Sequence, residues 1–160
     1  TEILFLNKEE DSQFTRIPFK LAGVKTDNPK LHEHRTRSFL PPYADDVSDI
    51  MLELFKYGVK TVVITDGRNG AQAYDGKRLY FCPVITHKKV DTLGAGDAFS
   101  SGFTSAIILG EDLKTALKYG TLNANSVISF FGAQAGLLTK KEFEKGLKGL
   151  DILITSIKLN

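Results

Sequence analysis

Between residues 91 and 99 the chain reads Asp91-Thr92-Leu93-Gly94-Ala95-Gly96-Asp97-Ala98-Phe99, a polar, glycine-rich turn that runs into a helix expected over about 96–109. Small residues let backbone come close to a ligand, and the unpaired N–H groups of a first helical turn point out from its positive end. Gly94, Ala95 and Gly96 therefore read as an anion hole suited to a phosphoryl group. A carboxylate at Asp97 would repel a phosphate that was merely bound there. It makes chemical sense as the base that takes the proton of a hydroxyl attacking that phosphate. No lysine follows the glycines, so this is not a Walker A loop; Phe99 stands where the dinucleotide fingerprint needs a third small residue. Read alone, Gly-Ala-Gly-Asp is also compatible with an ordinary helix start carrying an aspartate and flexible glycines.

Other residues suggest weaker chemistry. His32 and His34 have alternating strand spacing but no obvious third metal ligand, so a solvated basic loop is the simpler reading. His87-Lys88-Lys89 would add positive potential near a phosphate, or merely end an exposed strand. Arg68 and Asn69 are turn residues first and phosphate contacts only if a nucleotide lies over their loop. Cys82 reads as a small buried apolar residue, and Asn123 and Asn125 read as a polar helix face in water.

The elements that must position these groups are legible in the hydrophobic pattern. Glu2-Ile3-Leu4-Phe5-Leu6 is a nearly continuous apolar run ending at Asn7, as expected of a buried parallel strand. Val47, Ile50, Met51, Leu54 and Phe55 recur at helical spacing, with Asp45 or Asp46 as N-cap and Gly58 as the stop. Lys60 to Thr65 is β-branched and apolar, broken by Asp66-Gly67. Asp75-Gly76 between two strand-like runs, Ala71 to Tyr74 and Lys77 to Phe81, predicts a hairpin. A helix burying Phe99, Phe103, Ala106 and Ile107 should stop at Gly110, and another should run over about 113–131. Thr139-Lys140-Lys141-Glu142 is a capping box that opens a further helix carrying Phe143 and Leu147. The run Ile152 to Ile157 fits helix or strand. Residues 11–43 hold four of the five prolines and no sustained period, an irregular segment. Strand, helix, strand, hairpin and helices together predict an α/β layered domain with a largely parallel sheet.

Composition narrows the partners. With 160 residues, 42% hydrophobic and 25% charged, the chain is globular in kind. Its 21 basic and 19 acidic residues, for a formal charge of +2, give no field that would select nucleic acid or anionic lipid. A single cysteine excludes an internal disulfide and fits a reducing cytosol, so a cytoplasmic location is expected. The longest apolar runs fall far short of the roughly 20 residues of a membrane span, and no signal-like segment opens the chain.

The nine-residue string from Asp91 to Phe99 resembles the C-terminal signature of the ribokinase-like, or PfkB, family of carbohydrate kinases. Three further segments agree in order. Asn7-Lys8-Glu9-Glu10 resembles the family's Asn-x-x-Glu motif; Thr65-Asp66-Gly67-Arg68-Asn69-Gly70 resembles its nucleotide-contacting loop; Gly132-Ala133-Gln134 resembles the segment closing its adenine and monovalent-cation region. The resemblance runs from residue 2 to about 138 and implies a three-layer α/β/α fold of ribokinase type. It covers only the C-terminal half of a family member, so residues 1–160 would be a nucleotide-binding and catalytic half, without the family's sugar-binding half. Residues 11–43 look longer and richer in proline than the family's usual linker.

The resemblance implies an ATP-dependent kinase transferring the γ-phosphate to a sugar alcohol, with ATP, Mg2+ and K+ as cofactors. Asp97 would be the base, with Gly94, Ala95, Gly96 and the Asp97 N–H as the anion hole. Asn7 and Glu10 would act on Mg2+ through water, since this ion keeps much of its hydration. Asp91, with backbone carbonyls near Leu93, Val127, Phe130 and Gly132, would match a potassium site. Thr65 to Gly70 would contact the nucleotide, and Thr121 and Asn125 would line the adenine pocket. A small-molecule alcohol is the expected partner, and a full-length form would be a homodimer. A nucleoside or vitamin-like alcohol as acceptor stays open, as does a non-catalytic nucleotide-binding module.

Overall fold

The computed structural model describes residues 2–8, 51–52, 54–55, 58–85, 89–149 and 151–159. The irregular segment 11–43, Asp45, Asp46, Val47, Ile50, Glu10, His32, His34, His87 and Lys88 lie outside the described residues. Among the described residues, five strands form one sheet in the order β1 (Ile3–Asn7), β2 (Thr61–Thr65), β3 (Ala71–Tyr74), β4 (Arg78–Cys82) and β5 (Thr155–Lys158). The helices with defined bounds among the described residues are α1 (Ala95–Ile108), α2 (Leu113–Val127) and α3 (Lys140–Lys148), and Met51, Leu52, Leu54 and Phe55 are also helical.

The expected largely parallel sheet is instead mixed among the described strands. Only β1 and β2 run parallel, in a register that sets Asn7 against Thr65; β2–β3, β3–β4 and β4–β5 are antiparallel. The cause is local. A parallel neighbour needs a long crossover, and the short turns at Gly67–Asn69 and Asp75-Gly76 allow only reversals. At the second turn Gly76 adopts φ +87°, and a Cβ there would run into the Phe55 ring. Asp75 accepts from the Lys77 and Arg78 N–H groups through Oδ1 and from the Tyr80 hydroxyl through Oδ2.

Alternation along the strands splits the core into two faces. Val63, Ala71, Ala73 and Cys82 meet Phe99, Phe103 and Ala106 of α1 and Ala116, Leu117 and Tyr119 of α2. On the other face Val62, Ile64, Tyr74 and Leu79 meet the helical residues Met51, Leu52, Leu54 and Phe55. Helix, sheet and helix are thus the three layers expected. Gly58, at φ +84°, follows that helical stretch and donates its N–H to the Phe55 carbonyl, as a helix stop should.

The helix boundaries depart from expectation in two places. Helix α1 opens one residue early, at Ala95, because Gly94 takes the left-handed conformation. Helix α2 stops at Val127 rather than Phe131. Beyond it the Ile128 carbonyl accepts from Val90 N–H at 2.8 Å and Asp91 N–H at 3.3 Å, and Gly132 sits at φ +88°. The capping box forms as read, with Glu142 accepting from Thr139 N–H at 2.8 Å. Of the ambiguous run Ile152 to Ile157, only the part from Thr155 becomes strand, paired with β4 through contacts such as Leu79 with Ile157, while residues 152–154 are neither helix nor strand. Among the described residues no helix is long and apolar enough to cross a membrane.

Candidate active site

The α1 entrance is built by a chain reversal that only glycine tolerates comfortably. Gly94 lies at φ 76°, ψ 2°, and no side chain caps the helix it precedes. A Cβ on Gly94 would stand 2.6–2.7 Å from Cβ, Cα and O of Ala133, so residue 94 touches the backbone of the 130s segment. The first intrahelical bond runs from Ala98 N–H to the Gly94 carbonyl at 2.9 Å. Ala95 N–H turns back to the Thr92 carbonyl at 3.3 Å. That removes one donor from the anion hole read from the sequence. Among the described residues, no acceptor is seen for the N–H groups of Gly96 and Asp97, as the first turn of a helix requires. Gly96 has space around it, since a Cβ there would meet nothing within 4 Å. Asp97 is exposed on the same first turn. Two outward donors, an unobstructed backbone and a carboxylate therefore share one helix end.

Asp91 ties this turn to the segment after α2. Its Oδ1 accepts from Leu93 N–H at 3.0 Å and its Oδ2 from Gly132 N–H at 3.1 Å. The Leu93 bond first, then the Gly132 bond, hold its carboxyl below the usual range, because both favour the ionised form. Asp91, Leu93 and Gly132 come together, as a shared cation site would need. The Val127 carbonyl differs, because it already accepts from Phe130 N–H at 3.0 Å.

The other two segments meet at the carboxyl ends of the parallel pair. Asn7 lies opposite Thr65, and the Lys8 ammonium reaches Asp66 Oδ2 at 3.0 Å. Asn69 Nδ2 donates to the same oxygen at 3.2 Å. Asp66 N–H donates to the Gly70 carbonyl at 2.8 Å and Asn69 N–H to the Asp66 carbonyl at 2.7 Å, closing a small ring of backbone. The Asp66 carboxylate is thus committed to holding its loop. Gly67 and Arg68 are exposed, and Gly70, at φ +96°, leaves no room for a Cβ against the Cys82 carbonyl. In open sheets, ligands bind outside the carboxyl ends of strands, which is where Asn7 and Thr65 stop.

Two polar residues of α2 prove to be internal. Thr121, expected at an adenine pocket, is buried with its hydroxyl 3.1 Å from Cys82 Sγ. Burial pushes the Cys82 thiol up to about 11, which suits the apolar role read for it. Asn123, read as a polar face, is only 2% exposed and bonded at both prongs of its amide. Asn125 keeps a buried Oδ1 with no partner among the described residues. Nothing in the local sequence separates Asn123 from Asn125, because their surroundings come from distant segments. Among the described residues no group of three His, Cys, Asp or Glu could enclose a metal ion.

Comparison with known proteins bears on the family and the fold. The model of the "pfkB family carbohydrate kinase" matches residues 3–140. The chain is 40% identical over 95 residues, 59% of its length and 30% of the relative's, to 2-dehydro-3-deoxygalactonokinase of Haloferax volcanii. Its fold is similar to that of Thermotoga maritima ribokinase, with TM-score 0.68 and 24% identity, over 92% of this chain and 42% of that one. It is also similar to an Escherichia coli protein of ribokinase type solved in complex with ATP and Mg2+, with TM-score 0.64 and 19% identity, over 94% and 40% of the two chains. The chain therefore spans well under half the length of these relatives.

Proposed function

This chain belongs to the pfkB family of carbohydrate kinases, and from that premise we propose that residues 1–160 are the nucleotide-binding and catalytic part of an ATP-dependent sugar kinase. The observation that carries the reading is the α1 entrance. There, two N–H groups without an acceptor among the described residues, open space at Gly96 and the Asp97 carboxylate share a single helical turn.

In the reaction proposed, an alcohol oxygen of the acceptor attacks the γ-phosphorus of ATP. The bond from that phosphorus to the β–γ bridging oxygen breaks, and ADP leaves. The alcohol proton passes to the Asp97 carboxylate. The Gly96 and Asp97 N–H groups, with the positive end of α1, stabilise the charge on the equatorial oxygens. Residues 65–70 cover the nucleotide phosphates, with the exposed Arg68 as the side chain best placed to reach them. Asn125, whose buried Oδ1 lacks a donor, belongs to the adenine wall. Thr121 supports that wall from behind.

The residues present fit the ions that the family implies. Asn7 ends β1 beside Thr65 and Asp66, and Mg2+ held through its own waters needs no carboxylate cage. Asn7 would hold Mg2+ in this way together with Glu10, and the ion would neutralise charge on the triphosphate. The ionised Asp91 and the carbonyls of Leu93, Phe130 and Gly132 offer oxygen donors for K+.

The test is a thermal melt of this chain with and without ATP and Mg2+. A ligand that binds only the folded state at a hundredfold its Kd adds about 2.7 kcal/mol, a rise of several degrees. No rise at millimolar ATP and Mg2+ would overturn the reading of an assembled nucleotide site.

A further inference from the structure

We infer that Asn123 is a positioning residue for the phosphoryl-transfer turn, holding Asp97 and its neighbouring N–H groups in place from behind. Its Nδ2 donates to the Ala98 carbonyl at 2.8 Å, and its Oδ1 accepts from Leu138 N–H at 2.9 Å. Ala98 directly follows Asp97, and its own N–H is bound to the Gly94 carbonyl. One peptide unit on each side of Ala98 is therefore held, by Gly94 in front and by Asn123 behind. Leu138 lies just beyond the segment whose Gly132 and Ala133 touch Asp91 and Gly94. A single buried amide thus sets the register between the two loops that make the candidate site.

Helix packing explains why this short side chain can span the gap. Gly102 of α1 faces the Tyr119 carbonyl, 2.8 Å from where its Cβ would be, and the Asn123 Cβ at 3.0 Å. Gly120 of α2 faces the Phe99 carbonyl at 2.9 Å in the same sense. With the backbones this close, asparagine reaches both partners. It is the residue of that length that donates at one prong and accepts at the other. Aspartate keeps the accepting prong and loses the donor.

The inference rests on the reading of the α1 entrance as the phosphoryl site, and its test separates the two. Amide hydrogen exchange of Asn123→Asp is compared, without nucleotide, with that of Phe143→Leu, a change in the buried stack on Tyr119 that touches neither bond. Exchange at Ala98 and Gly102, whose bonds border the Ala98 peptide units, should quicken at least tenfold relative to Phe103 in Asn123→Asp and not in the control. The affinity ratio of MgATP to MgADP should fall toward one only in Asn123→Asp, because the γ-phosphate alone meets the turn. Uniform changes along α1 in both variants would overturn the inference whatever the nucleotide result. A wild type that does not prefer ATP would overturn the phosphoryl reading, while the exchange comparison still decides the role of Asn123. If Asn123→Asp does not fold, Asn123→Ser, which breaks both bonds without burying a charge, is read in the same way.

Discussion

Replacing Gly94 and Gly96 by alanine, one at a time, separates what holds the phosphoryl turn from what the turn is for. Gly94 sits at φ +76°. A side chain in that left-handed region costs about 1–2 kcal/mol. Its new methyl would also stand 2.6–2.7 Å from three atoms of Ala133, two of them backbone, so no rotamer change relieves the overlap. Overpacking of this kind adds about 1–3 kcal/mol. The sum, about 2–5 kcal/mol, is a large part of the roughly 5–15 kcal/mol that typically holds a domain. For a chain of this size it lowers Tm by roughly 5–20 °C. Gly96 differs in both respects: its backbone is helical and a Cβ meets nothing within 4 Å. Gly96→Ala should keep Tm or raise it by the up to about 1 kcal/mol that alanine gains over glycine in a helix. Its methyl would nevertheless intrude on the approach to the exposed N–H groups and weaken MgATP binding about tenfold, or about 1.4 kcal/mol. Differential scanning fluorimetry and a nucleotide titration on both variants read the contrast. A Gly94→Ala protein that melts together with wild type would refute the strain argument, and a Gly96→Ala protein with undiminished affinity would refute the anion hole.

Three further outcomes are expected. In a full-length version that also carries the acceptor-binding half, Asp97→Asn should lower phosphoryl transfer by about 10²–10⁴-fold while MgATP affinity holds or rises; retained turnover in a coupled ADP-release assay would remove Asp97 as base. Asp91, Asp112 and Glu142 are all held below their ordinary pKa, chiefly by backbone N–H groups of Leu93, Thr115 and Thr139. Such carboxyls stabilise the fold above their unfolded values near 4, and that contribution fades as pH falls through the folded values. Tm should therefore drop on acidification from about pH 5 toward 3, less steeply in Asp91→Asn; an unchanged slope would contradict the Asp91 bonds. Cys82 is buried, with its thiol raised to about 11. Since the thiolate is the reactive form, it should react with a thiol reagent at pH 8 at least about a hundredfold more slowly than in urea-unfolded protein. Equal rates would show the β4–α2 contact to be open.

Features set by near neighbours were readable from the chain alone. Asp75-Gly76 makes its hairpin because the aspartate bonds residues two and three ahead. Thr139 and Glu142 cap α3 within one turn. The start of α1 was readable because Gly94 takes the left-handed conformation that opens the helix. Features set by remote partners were not readable. That the run 152–157 turns to strand at Thr155 depended on β4, which lies far back along the chain. The end of α2 was fixed by Val90 and Asp91, which take the Ile128 carbonyl. Asn123 looks like part of a polar face, and Thr121 like a pocket lining, until Cys82, Ala98 and Leu138 are folded against them.

The two glycines that bring α1 and α2 together restrict how the molecule can move. Tyr119 O lies over Gly102 and Phe99 O lies over Gly120, so each helix meets the other's main chain at two heights. Two such contacts act as a key in a slot: sliding or rolling one helix would drive a carbonyl into a Cα. The pair must travel as one rigid body. Any opening that admits or releases a nucleotide at this end therefore falls to the connecting turns at 91–94 and 128–136, and rates of entry and exit should respond to substitutions there rather than along the helices.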